Sequence, residues 1–139
     1  MSNKESIDLI SNNLNKILLA LTAASNKIAY KTKKIPIHTN DGIWMVWLRD
    51  IVRMEAEINY TKIFFTDGEN LLIAKTLKDY ETMLLKNNFE RIHKSHLVNL
   101  YHVKKYYKKE SAYVLMGDDK QIEVSRYKRE LLMQRLELL

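Results

Sequence analysis

Residues 89–100, FERIHKSHLVNL, place His93 and His96 three apart, with Arg91, Lys94 and Ser95 around them. These side chains could coordinate a metal, move protons, supply a hydroxyl nucleophile or grip an anion. The run is rich in strand formers. On a strand, residues three apart point to opposite faces, so the two imidazoles are not expected to share an ion. No HExxH pair and no suitable third ligand accompany them, and no metal site is expected. The chain holds no cysteine, which removes thiol catalysis, disulfides and zinc-thiolate sites. Ser95 lacks the glycines of a nucleophile elbow. The three glycines, Gly42, Gly68 and Gly117, each read as turn residues, which leaves no phosphate-cradling loop for a nucleotide cofactor. The expectation is therefore a protein with no catalytic residues, no cofactor and no small-molecule substrate. What remains is a surface that grips.

The charge says what kind of surface. Of 23 basic and 17 acidic residues, ten and four lie between Arg91 and Arg129. The basic ones are Arg91, Lys94, Lys104, Lys105, Lys108, Lys109, Lys120, Arg126, Lys128 and Arg129, against Glu110, Asp118, Asp119 and Glu123. The remainder balances, so the whole excess of +6 sits in one C-terminal third. A localised basic field suits a polyanion. Tyr106 and Tyr107 among lysines could stack bases, as RNA-binding sheets do. No helix-turn-helix pattern is present. Charge and composition alone leave DNA, RNA and an acidic protein surface open.

Two units must carry these residues. Residues 2–30 read as one helix, opened by a Ser2/Glu5 capping box. Ile7, Ile10, Leu14, Ile17, Leu21, Ala24 and Ile28 alternate by threes and fours, the seam of a coiled coil. That seam could pair with a second copy or fold back on its own domain. A basic break, Lys31 to Lys34, ends a first unit of residues 1–34. Residues 35–139 have a β texture. Pro36 biases Ile35 to an extended conformation. Strands are expected over 43–48, 51–56, 60–66 and 71–73, with turns at 39–42 and Asp67-Gly68. A helix capped by Thr76 follows to about Lys86. Short strands come next near 89–92, 97–99, 103–107, 112–116 and 121–124, and Ser125 is read as the cap of a final helix. Trp44 and Trp47, three apart on a strand, are expected to face opposite ways, with at least one in the core. No run of about 20 apolar residues spans a membrane, SNKESID is no signal peptide, and the lack of cysteine fits a reducing cytosol. A cytoplasmic protein is expected.

FERIHKSHLVNLYHV resembles the signature of the LytTR family of bacterial DNA-binding domains. Phe89, Arg91, His93, Ser95, Val98 and Asn99 occupy the signature positions. LRDIVRMEAEINY (48–60), the helix at 76–86 and IEVSRYKRELL (122–132) are similar to further family segments in the same order. The resemblance covers residues 35–139. It implies a mainly β, elongated arrangement of short strands with one internal helix and a C-terminal helix, here behind an N-terminal α-helix.

The resemblance also implies a function. Relatives insert loops into successive major grooves of double-stranded DNA at repeated half-sites, as transcription regulators. It places Lys94, Arg126, Tyr60 and Thr61 at bases. Arg126 is suited to a bidentate contact with guanine. Thr61 departs from members with histidine there. Asn59, Lys62, Arg91, His93, Ser125, Lys128 and Arg129 fall to the DNA backbone, which positions without specifying. His93 is also read as bonding backbone within the signature loop, His96 as partly buried, and Asn99 as satisfying a turn. Members usually follow a receiver domain, and none is present in this chain. The chain is accordingly either the output piece of a two-component response regulator or a stand-alone regulator. In the second case the helical seam would make the homodimer.

Overall fold

The computed structural model describes residues 2–139, the side chain of Asn26 excepted. Helix α1 (Asn3–Thr32) opens as its sequence predicts, with Ser2 Oγ accepting from the Glu5 backbone N–H and the Glu5 carboxylate accepting from that of Ser2, both at 3.2 Å. Its seam is exposed: Ile7, Leu14, Leu21 and Ile28 each keep 60% or more of their surface. The fold-back reading of the seam is thereby corrected. Helix α1 holds the body by its last turns, where the Tyr30 ring lies 4.3 Å from that of Tyr101 and the Lys31 carbonyl accepts from Arg49 at 3.1 Å.

Strands β1 (Lys34–Thr39) and β2 (Gly42–Trp47) form a hairpin in which Ile35 opposes Val46 and Ile37 opposes Trp44. Sequence reasoning saw only that Ile35 is extended. Pro36 is tolerated because β1 is an edge strand, where a missing N–H breaks no central ladder. Neither tryptophan enters the core, against expectation. Ile35 and Ile37 fill the buried side of the hairpin, leaving Trp44 58% exposed. Trp47 is roofed by Lys34 Nζ at 4.5 Å and the Arg49 guanidinium at 4.7 Å, as cation–π contacts.

The central sheet is antiparallel and five-stranded: β3 (Ile51–Glu57), β4 (Tyr60–Phe65), β5 (Asn70–Ile73), β6 (Phe89–His93) and β7 (His96–Asn99), in the order β5-β4-β3-β7-β6. Helix α2 (Leu77–Met83) interrupts it, with a Thr76/Asp79 capping box. It stops short of the expected Lys86, because Leu84 already closes the last turn from the core. Strands β8 (Val103–Tyr107), β9 (Tyr113–Met116) and β10 (Gln121–Glu123) make a second antiparallel sheet, and helix α3 (Arg129–Glu137) ends the chain. Ser125 does not cap α3. A 3₁₀ turn, Arg126–Lys128, intervenes, and the Ser125 side chain makes no capping bond.

Two cores lie on opposite faces of the central sheet. The first joins Ile35, Ile37, Leu48, Ile51, Met54, Ile63, Leu77, Tyr80, Leu84 and Leu97. The second joins Val52, Ile92, Val98, Leu100, Val114, Met116, Ile122, Val124 and Leu132. Strand β7 serves both through the alternation of Leu97 and Val98. Strand β3 does so with a twist: a bulge between Ile51 and Arg53 puts Ile51 and Met54 on one side and Val52 on the other. Arg53, 5% exposed, is held by Asp118 at 2.8 Å and lies 3.6 Å over the Phe64 ring.

Candidate nucleic-acid interface

Three segments distant in sequence meet at one end of the central sheet. The β3–β4 turn presents Ile58 and Asn59, and the β6–β7 turn presents Lys94 and Ser95. A 2.9 Å bond from the Ala56 N–H to the Ser95 carbonyl ties the two together. The segment after β10 is fixed beside them by the Ser125 N–H, which donates to the Ile92 carbonyl at 2.7 Å. Between the β6–β7 turn, the segment after β10 and helix α2 lies a cleft of about 190 Å3 lined by Glu81, Arg91, His93, Lys94, Ser125, Tyr127 and Lys128. Five of the residues named from sequence thus share one cavity wall, with Arg126 exposed next to it.

Their side chains are not equally available. Arg91 is paired with Glu81 at 3.2 Å and donates through its other nitrogen to the Lys94 carbonyl, which pins the turn. Lys128 reaches Glu90 at 3.2 Å, and Glu90 also binds Arg135. Arg129 donates to the carbonyls of Glu110 and Val124, at 3.1 and 3.4 Å, so its guanidinium braces the approach to α3. Among the described residues no ion pair engages Lys94 or Arg126.

His93 Nδ1 accepts from the Ser95 N–H at 3.1 Å. That bond assigns the neutral ring's proton to Nε2, leaving it free to donate outward. The expectation that His93 and His96 face apart is overturned. They sit directly opposite each other across the hairpin, because Lys94 and Ser95 form its turn, and their ring centroids are 5.5 Å apart. Among the described residues no cluster of three His, Asp or Glu could hold a metal. Burial pushes the His96 pKa down, and the Glu55 carboxylate, 3.8 Å from Nε2, pulls it partly back. Its Nδ1 is buried without a partner.

At the β3–β4 turn, Asn59 adopts a left-handed φ of 61° and Tyr60 is exposed. Thr61 is a correction. Strand alternation turns it inward, where it is fully buried, and its hydroxyl donates to the Lys75 carbonyl at 2.7 Å; it cannot reach a base. Lys62 faces outward, its ammonium 5.4 Å from the Phe64 ring. Asn99 does what was expected of it: fully buried, it donates to the Leu48 and Ile51 carbonyls and accepts from the Tyr101 N–H. Of the tyrosines proposed as a stacking platform, Tyr106 packs against the second core. Tyr107 stacks on Tyr113 at 4.3 Å.

The family model described as the LytTr DNA-binding domain matches residues 41–137. This chain belongs to the LytTR family. Two curated relatives are heme-containing CO-sensing transcriptional regulators of Paraburkholderia xenovorans. RcoM 2 is 35% identical over 92 residues, which is 66% of this chain and 34% of the relative. RcoM 1 is 32% identical over 96 residues, 67% of this chain and 36% of the relative. The chain therefore matches about a third of their length. The LytTr DNA-binding domain of a Bacillus cereus protein superposes with a TM-score of 0.62 at 23% identity, covering 76% of this chain and 97% of that one, a likeness of fold.

Within this LytTR domain, sequence reasoning missed Glu81, Glu90 and Tyr127. Tyr127 is 94% exposed at the cleft mouth, and its place between Arg126 and Lys128 was a visible signal. Glu81 and Glu90 had none, because their partners lie on other elements. No helix among the described residues is long and apolar enough to cross a membrane.

Proposed function

We propose that the chain is a sequence-specific, non-enzymatic transcription regulator that binds double-stranded DNA through the end of its central sheet. The observation that carries this reading is the meeting of separate loops at the cleft: Lys94 stands in its wall with His93 and Ser125, and Arg126 is exposed in the segment beside it. Such loops suit a groove, and an exposed guanidinium can take guanine O6 and N7 together. Tyr60 is the third candidate at a base. Asn59, Lys62, His93, Ser125 and Lys128 are assigned to phosphates, Lys128 on release from Glu90. Residues 35–139 form the DNA-binding unit and residues 1–34 the dimerising or linking unit. Seam pairing through α1 would set two domains on repeated half-sites. The regulator is either the output domain of a two-component response regulator or a stand-alone regulator, in the cytoplasm.

The test is fluorescence anisotropy at physiological salt on a library-selected duplex and a scrambled one. Wild type should prefer the selected duplex by ~1,000-fold or more. Arg126→Ala should cost roughly 1–3 kcal/mol of that preference, and Lys128→Ala should weaken both duplexes alike. Equal binding of both duplexes by wild type would instead assign the basic third to RNA or an acidic protein surface.

A further inference from the structure

Among the described residues that line the cleft, Glu81 is the one acid, set among the cations Arg91, Lys94 and Lys128. Helix α2 delivers it: Leu77, Tyr80 and Leu84 are buried in the first core, and Glu81 next to Tyr80 emerges at the edge of the sheet. Its carboxylate holds Arg91 at 3.2 Å, with side chains 34% and 25% exposed. The pair is partly buried, and it sets an acid on a surface that must approach phosphates. We propose that Glu81 is a specificity-determining residue of this interface: it occupies Arg91 where a phosphate would otherwise sit, and thereby suppresses binding to arbitrary DNA. The proposal rests on the DNA-binding reading above.

The mechanism is electrostatic. Binding without sequence preference is driven by cations that neutralise phosphates and release counterions. Arg91 would be one such cation, and the carboxylate both satisfies it and repels any phosphate drawing near. The proposed base-reading side chains, Lys94 and Arg126, carry no such partner among the described residues. A correct sequence can recover through them what Glu81 withholds, and a random sequence cannot. Glu81 also steadies the reading loop, since the Arg91 it grips donates to the Lys94 carbonyl.

Glu81→Gln tests this, because the amide keeps the size and can still accept from Arg91. Affinity for the scrambled duplex should rise roughly 3- to 10-fold, affinity for the selected duplex should rise less, and the salt dependence should steepen by about 0.9 in log–log slope. In an Arg91→Ala background the same change should give a smaller gain and leave the salt slope unchanged, because only the repulsion of phosphate by the carboxylate is then relieved. Glu69→Gln, in the β4–β5 turn at the other end of the sheet, controls for net charge and should leave binding as it was. An equal shift on both duplexes, a loss on both, or the same gain from Glu69→Gln overturns the proposal. A wild type that binds neither duplex removes the DNA reading and this proposal together. A discriminating wild type with an unresponsive Glu81→Gln removes this proposal alone.

Discussion

Asn99 shows how one side chain can hold an interface without touching its ligand. Its amide donates to two carbonyls, of Leu48 and Ile51, where strand β3 begins, and its oxygen takes the Tyr101 N–H. Asn99→Ala would leave those groups buried and unmatched, at about 1–3 kcal/mol for each one stranded; urea unfolding should show a lowered midpoint with an unchanged slope. His96 makes a pH prediction. Burial lowers its folded pKa below the unfolded value of about 6.5, so below that value the unfolded chain binds more protons. Stability then falls as pH drops through that region and is restored above it. His96→Phe should flatten this part of a melting-temperature profile between pH 7 and 5, and an unchanged profile would exclude His96 as its source. Motif spacing read Asn99 well, as a side chain that satisfies a turn backbone, since turns and signatures are local. It failed at Thr61, whose direction is set by the parity of β4, and it was blind to Glu81, whose partner lies ten residues away on another element.

At the scale of elements, the legible parts were those with a local chemical cause. Capping boxes start α1 and α2, and Asp67-Gly68 turns β4 into β5, with Gly68 at φ 88°. Strand β1 was less visible, because a proline sits in it and its partner supplies the pairing. The 3₁₀ turn at Arg126–Lys128 was invisible, being fixed by the tertiary bond from Ser125 to Ile92. The β3–β4 turn yields a prediction. Asn59 at φ 61° occupies backbone space costly to most residues and free to glycine. Asn59→Gly should hold or raise stability while Asn59→Ala lowers it by about 1 kcal/mol. If the side chain also meets a phosphate, both substitutions will weaken DNA binding to a similar degree despite their opposite effects on thermal melting.

For the whole molecule, β3 and β7 feed both cores, so neither core can come apart without the sheet they share. The domain should melt in one cooperative step. Helix α1 stands outside that step. The seam was legible as a heptad pattern, but its partner was not, since periodicity describes a face and not what covers it. Ile17→Asp at the middle of the seam should leave the melting of the domain unchanged and weaken binding to a tandem site far more than to a single half-site. Equal effects on both sites would count against pairing.

The near-isolation of α1 has a consequence for its own persistence. A helix of 30 residues with no buried seam lacks most of the packing that makes helices last in water, so its peptide hydrogens should trade with solvent on a timescale set by local unravelling. In deuterated buffer, residues 3–25 should label within seconds at high dilution, when β3 and β7 remain protected. Raising the protein concentration should slow the labelling of α1 alone. Residues 3–25 would then be folded in proportion to the company they keep.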